Sequence, residues 1–277
     1  MGSATVNGIT IEYDDLGPAA GPAIVLVHGH PFHRGMWAPQ TAALTAAGWR
    51  VIAPDLRGYG GSQVVPGHTP FEVFARDVAA LLDLLGVEEA VLGGVSMGGQ
   101  IVMEFHRLFP ERVTGLVLSD TQPVAEDAEG RAFRFAMADR LLAEGMAGYA
   151  AEVIDKMLAP YNVTGLPEVA AHVLDMMRST APEGAAAALR GRAERPDYRA
   201  TLRAAAVPAL VVVGADDVYT PVADAEAMHA LLPDSMLVVI EGAGHLPGLE
   251  RPEAFNAALR RLTDRLAAEA PEAPEAV

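Results

Sequence analysis

Between an apolar run, Ala90 to Val95, and a helical pattern that begins at Met97, the chain carries Gly94-Val95-Ser96-Met97-Gly98. A strand that reverses into a helix across a single residue brings the residues two before and two after the corner together, and both are best without side chains. The corner residue takes strained backbone angles and is held out at the C-terminal edge of a sheet, above the positive end of the helix. Such a corner demands a strand behind it that is covered on both faces. The rest of the sequence supplies neighbours of that kind.

Ala23 to Val27, Arg50 to Ala53, Gly115 to Leu118, Ala209 to Val213 and Met236 to Ile240 are short apolar runs rich in Val, Leu and Ile. Runs of this type suit a parallel sheet buried on both sides. Thr5 to Asp15 reads as a β-hairpin around Asn7-Gly8. Phe71, Phe74, Val78, Leu81, Leu82 and Leu85 share one helical face, with Gly86 as the stop, and Met97 to Phe109 forms a second helix ended by Pro110. Alternating strands and helices give an α/β fold. From about Pro123 to Ala200 the alternation stops, and helical pieces punctuated by Gly145, Pro160, Pro167 and Pro182 predict an all-helical insertion of four or five short helices. Residues 269–277, acidic and proline-bearing, read as a disordered tail.

A chain of 277 residues has enough material for one sizeable core. Its net charge of −16, with Lys156 the sole lysine among the basic residues, argues against nucleic acid or an anionic membrane as partner. No run reaches the roughly 20 apolar residues of a membrane helix, and Met1 to Thr5 lacks the basic start of a signal peptide, so a cytoplasmic location is the default expectation. That makes the Asn162-Val163-Thr164 sequon a chance match. Without cysteine there are no disulfides, thiolate metal sites or Cys nucleophile. Homo-oligomerisation is left open.

Ser96 at the corner is therefore the candidate nucleophile, and a serine needs a base, which in turn needs an orienting acid. Past the Ala209 to Val213 run come Asp216 and Asp217, and past Met236 to Ile240 comes His245, preceded by glycines. The order Ser, Asp, His puts each candidate beyond the C-terminal end of a strand, where α/β sheets build sites. Asp217 is the preferred acid; Asp216 and Asp120 are the alternatives. The loop after Ala23 to Val27 carries His28, His30 and His33. A metal reading of H-x-H-x-x-H lacks a closely following carboxylate, and no metal or organic cofactor is expected.

The motifs His28-Gly29-His30-Pro31, Asp55-Leu56-Arg57-Gly58-Tyr59-Gly60, Gly94 to Gly99, Gly214 to Pro221 and Gly242-Ala243-Gly244-His245 resemble those of the α/β-hydrolase superfamily, over Thr5 to Gln122 and Thr201 to Ala267. Serine at 96 argues against the epoxide hydrolases and haloalkane dehalogenases, which use Asp there. Met36-Trp37-Ala38-Pro39-Gln40 and Val95 to Gly99 are similar to enol-lactonases and cofactor-free haloperoxidase-type esterases. The resemblance implies a mostly parallel eight-stranded sheet flanked by helices, formed by residues 1–122 and 201–268, with residues 123–200 as a helical lid. It implies an oxyanion hole from the backbone N–H groups of His30 and Met97. It implies hydrolysis of a small apolar carboxylic ester or lactone through an acyl-enzyme. Carbon–carbon bond hydrolysis, cofactor-free perhydrolysis and a ligand-binding receptor are the alternatives. Candidate pocket residues are Phe32, Trp37, Met137, Tyr149, Met157, Tyr161 and Leu246, although lid methionines and aromatics such as Phe133 also serve simply to pack the lid onto the core.

Overall fold

The computed structural model describes residues 1–269. Strands β1 (Gly2–Val6) and β2 (Ile9–Leu16) form the N-terminal hairpin. Asn7 and Gly8 both have positive φ, 47° and 77°, which matches the twist of a two-residue hairpin turn. Then follow β3 (Ala23–Val27), α1 (Ala38–Ala46), β4 (Arg50–Pro54), α2 (Phe71–Leu84), β5 (Ala90–Val95), α3 (Met97–Leu108) and β6 (Val113–Ser119). After β6 come five consecutive helices, α4 (Ala128–Glu144), α5 (Met146–Met157), α6 (Pro160–Gly165), α7 (Pro167–Ser179) and α8 (Pro182–Ala193), and the short α9 (Arg199–Arg203). The chain closes with β7 (Ala209–Gly214), α10 (Val222–Leu231), β8 (Ser235–Ile240), α11 (Pro247–Glu250) and α12 (Pro252–Glu269). Beyond Glu269, the segment read as a tail lies outside the described residues.

The eight strands form one sheet in the order β1-β2-β4-β3-β5-β6-β7-β8. β2 runs antiparallel to both its neighbours, and every pairing from β4 to β8 is parallel. Successive strand residues feed opposite faces, as a pleat requires. Val25, Leu92, Leu118 and Val211 join Phe71, Phe74, Ile101 and Met228 on one side, while Ile24, Leu26, Val117 and Leu210 join Leu44, Phe255 and Leu259 on the other. Full burial of each such side chain stabilises the fold by about 2 kcal/mol. β5 is buried along its whole length, and α3 is buried from Met97 to His106. The corner at Ser96 thus stands between a buried strand and a buried helix.

The helices between β6 and β7 include one that is longer than the sequence suggests. α4 runs 17 residues because Asp127 caps it, accepting a hydrogen bond from Gly130 N at 2.7 Å, and no breaker follows until Gly145. α4 packs on α8 through Ala138, Leu141, Ala185 and Leu189, whereas α5 and α7 place Val153, Met157, Val173 and Met176 in the second core cluster. α8 meets the core backbone to backbone: a Cβ on Gly184 would stand 2.0 Å from Gly58 O. Among the described residues no helix is long and apolar enough to cross a membrane.

Candidate active site

Ser96 has φ 54° and ψ −119°, an angle pair that costs energy in any L-residue and persists because its surroundings enforce it. A Cβ on Gly94 would lie 2.4 Å from Gly98 C, and one on Gly98 would lie 2.2 Å from Val27 O, so both glycines are required by contact. The corner is tied down at its backbone. Ser96 N donates to Ser119 O at 2.9 Å, and Ser96 O accepts from Gln100 N at 3.2 Å and from Thr121 Oγ1 at 2.7 Å. Ser96 retains 5% exposure.

His245 and Asp217 meet across the ends of β7 and β8. Asp217 Oδ2 lies 2.8 Å from His245 Nδ1 and accepts the Thr220 hydroxyl at 2.6 Å, while Oδ1 accepts from Tyr219 N at 2.8 Å. Burial disfavours the Asp217 carboxylate, but the imidazole, the hydroxyl and the amide outweigh it and hold the group below the usual carboxylate range. A charged acceptor at Nδ1 leaves Nε2 as the ring's working nitrogen. No hydrogen bond joins Ser96 Oγ to His245 Nε2 in this structure; such contacts often tighten only when substrate is bound.

Asp216 is turned elsewhere. Its Oδ2 accepts the Tyr161 hydroxyl, on the surface. Asp120 is different: it is buried beside the pair, so that an oxygen of Asp120, an oxygen of Asp217 and a nitrogen of His245 all lie within 4.8 Å of one another. Asp120 Oδ1 accepts from Gly214 N at 2.9 Å and Oδ2 accepts from the Ser119 hydroxyl at 2.5 Å. Burial and the neighbouring Asp217 charge push its carboxyl well above the usual range. This trio has the spacing of a metal site, but the Asp217–His245 hydrogen bond and the partners of Asp120 already occupy it.

The loop after β3 arches over the corner. Phe32 N closes a turn onto Gly29 O at 3.0 Å, the His30-Pro31 peptide is cis, and a Cβ on Gly29 would touch Ser96 Cβ at 3.4 Å. Among the described residues neither the His30 nor the Met97 amide is taken up by a hydrogen bond. The three histidines of the loop do not converge. His28 Nδ1–H donates to Gly29 O and its Nε2 accepts from Leu56 N, both at 2.9 Å, and burial brings its pKa to about 4. His30 Nδ1 pairs with Tyr59 Oη at 2.8 Å, and His33 Nδ1 accepts from Gly35 N at 3.0 Å. Asp55 fastens this loop to the next one, accepting from Arg34 N and Gly61 N, each at 2.8 Å.

Of the expected pocket residues, Phe32, Trp37, Met157 and Leu246 are buried, Trp37 lying against Phe255, and Trp37 and Leu246 border a small cavity together with Val95 and Ser119. Tyr161 is 54% exposed and Phe133 55%, so neither lines a buried pocket. Met137 packs between α4 and α8. Tyr149 stands beside the loop, its ring 6.3 Å from that of His30. Helical residues at the same spacing face a core or a cavity with equal ease, which is why the sequence does not separate them.

Sequence reasoning also missed Glu250. This buried carboxylate accepts from Gly244 N at 2.8 Å, Ala159 N at 2.8 Å and Asn162 Nδ2 at 2.7 Å, clamping the residue before His245 to α6. Asn162 of the apparent sequon is buried in that clamp. No local pattern marks it, since its partners lie up to 91 positions away.

A corner serine at the end of the central strand, with an acid and a histidine on the two strands beyond, defines a class. Residues 22–252 match the alpha/beta hydrolase fold family, and the chain belongs to it. It is 30% identical to the 3-oxoadipate enol-lactonase 2 of Acinetobacter baylyi, over 94% of this chain and 96% of that protein. It is 33% identical to a non-heme chloroperoxidase of Streptomyces lividans, over 92% and 97%. Among solved structures, a malate-bound thermophilic esterase from Thermogutta terrifontis superposes with TM-score 0.91 at 39% identity, over 95% and 97%. The enol-lactonase of Burkholderia xenovorans superposes with TM-score 0.88 at 28% identity, over 95% and 100%.

Proposed function

We propose that the protein hydrolyses a small carboxylic ester or lactone through an acyl-enzyme formed on Ser96. Esterases and enol-lactonases related over nearly the whole chain support ester or lactone cleavage. The observation that carries the serine mechanism is the 2.8 Å contact between His245 Nδ1 and Asp217 Oδ2 on the same sheet edge as the strained serine. In this mechanism His245 Nε2 takes the Ser96 hydroxyl proton as Oγ attacks the carbonyl carbon. The tetrahedral oxyanion is bound by the His30 and Met97 amides, each worth about 3 kcal/mol in the transition state. Collapse breaks the bond to the leaving oxygen, which receives the proton from His245. Water then repeats the sequence on the acyl-enzyme, releasing the acid and restoring Ser96. Asp217 holds the ring's tautomer and stabilises the imidazolium. The helices between β6 and β7 act as the lid, and no cofactor takes part.

Hydrolysis of 4-nitrophenyl acetate and butyrate tests this reading. Ser96→Ala is expected to abolish turnover while leaving the fold intact by circular dichroism. Unchanged hydrolysis in that variant overturns the serine mechanism. Kinship to the chloroperoxidase favours perhydrolysis as a second reading, in which hydrogen peroxide replaces water at the same acyl-enzyme. Peracid formation from acetate and peroxide decides it.

A further inference from the structure

The loop after β7 turns its polar groups inward and its apolar ones outward. Tyr219 N donates to Asp217 Oδ1 at 2.8 Å and the Thr220 hydroxyl donates to Oδ2 at 2.6 Å, so residues 217–220 fold over the carboxylate. Val218 and Tyr219 are left outside, 66% and 41% exposed. Tyr161 of α6 reaches the same loop: its hydroxyl donates to Asp216 Oδ2, yet the residue stays 54% exposed. Two phenol rings and an isopropyl group therefore share one stretch of surface. Exposed apolar side chains scattered singly are ordinary, but a group held together by hydrogen bonds marks a place where something binds.

This surface adjoins the candidate base. The Tyr219 ring stands 5.1 Å from that of His245, the two planes inclined at 66°. His245 Nδ1 is taken by Asp217, which leaves Nε2 to hand a proton to the departing oxygen of an ester. The alcohol half of a substrate is thus the part that must lie against His245. The opposite flank is closed. His30 is buried, with its Nδ1 2.8 Å from the Tyr59 hydroxyl and its ring 6.3 Å from that of Tyr149, and the nucleophile itself is buried. An acyl group on the side of the oxyanion loop is enclosed, whereas an alcohol on the side of His245 has open aromatic surface beside it.

Accepting the hydrolase reading, we infer that Tyr219, with Tyr161 and Val218, binds the alcohol half of the substrate, so that the preferred substrate is an ester of an apolar alcohol carrying a ring. That ring packs on Tyr219 while the ester oxygen lies within reach of His245 Nε2. Aromatic pairs of this kind gain from ring geometry as well as from the apolar area they remove from water. Tyr219 is a specificity-determining residue: it touches the leaving group and transfers no proton.

The test compares 3-phenylpropyl acetate with propyl acetate. Both form the same acetyl-enzyme and release alcohols of nearly equal acidity, so their kcat/KM values differ through binding of the distant ring. Wild type is expected to favour the phenylpropyl ester by roughly tenfold, which is about 1.4 kcal/mol. Tyr219→Phe keeps that ratio, because the ring and not the hydroxyl makes the contact. Tyr219→Ala brings the ratio to within about twofold of unity, and Tyr161→Ala lowers it in part. The ratio is read rather than the absolute rate, since any disturbance of His245 slows both esters alike. Equal kcat/KM in wild type overturns the inference without any variant, which covers a misfolded Tyr219→Ala. A wild-type preference that survives in folded Tyr219→Ala overturns it as well. Turnover of both esters without preference sinks the alcohol site alone and leaves the hydrolase reading standing. If neither ester is turned over, the hydrolase reading fails, and calorimetry with 3-phenylpropan-1-ol decides the site: binding that is lost in Tyr219→Ala keeps it, and no binding ends it.

Discussion

Asp120 offers a test in which a residue beside the candidate catalytic groups is removed and the protein gains stability. A carboxyl whose pKa is higher in the folded than in the unfolded chain favours the fold when protonated. Its contribution is complete below the unfolded value, near pH 4, and is lost as pH climbs toward the folded value. Asp120 is such a group, raised by burial and then by the Asp217 charge. Asp120→Asn mimics the neutral acid: its carbonyl still accepts from Gly214 N, and its amide can donate towards Asp217. What it loses is the Ser119 hydrogen bond, 2.5 Å in the structure, worth about 1 kcal/mol at every pH. What it gains grows by at most about 1.4 kcal/mol per pH unit between pH 4 and the folded pKa of Asp120. The variant is therefore expected to be about 1 kcal/mol less stable than wild type at pH 4 and more stable by pH 7. Urea unfolding of both proteins at pH 4 to 8, followed through the buried Trp37 and Trp49, reads the difference directly, and titrating groups that do not interact with Asp120 cancel. A difference that stays flat with pH refutes the neutral Asp120. Near-normal kcat is expected too, because the neutral side chain is already the resting state; a collapse would mean that Asp120, not Asp217, serves His245.

Asp217→Asn is expected to lower kcat by about 10³–10⁴-fold with 4-nitrophenyl butyrate, since an amide favours the wrong histidine tautomer. A loss of less than tenfold would remove Asp217 from the mechanism. Asp217 also has the opposite linkage to Asp120: its carboxyl is held below the usual range, so its stabilisation is present above about pH 4 and lost as pH falls through the lowered value. Stability of Asp217→Asn relative to wild type should accordingly recover toward acid pH in the same urea experiment. Glu250→Ala strands three buried donors and is expected to cost roughly 3 kcal/mol or more, with kcat falling because Gly244 loses its anchor next to His245. An unfolding midpoint equal to wild type would show that the clamp contributes nothing.

What could be read along the chain was whatever depends on neighbours in sequence. The elbow at Ser96 is written in two glycines and an apolar strand, because the close approach at the corner is made within five residues. Strand runs, the Asn7-Gly8 turn and the interruption after β6 are local in the same sense. The parallel sheet was legible in the apolar runs and their alternation with helices, its eight strands came with the resemblance, and the tertiary structure supplies their order and register.

Other features depend on residues far apart in sequence, and there local pattern carries no information. Asp216 and Asp217 are adjacent, yet opposite orientations at the end of β7 send one to Tyr161 and the other to His245. Asp120 was an alternative acid by its place after β6; burial beside Asp217 is what raises its carboxyl well above the usual range. Glu250 had no signature, because a charge becomes unusual only when packing strips away water and fixes what surrounds it. Ser96 as the corner residue was therefore legible from the sequence alone. The acid beside His245 and the clamp behind that histidine were set by strands and helices brought together from distant parts of the chain, where desolvation rather than residue type determines the chemistry.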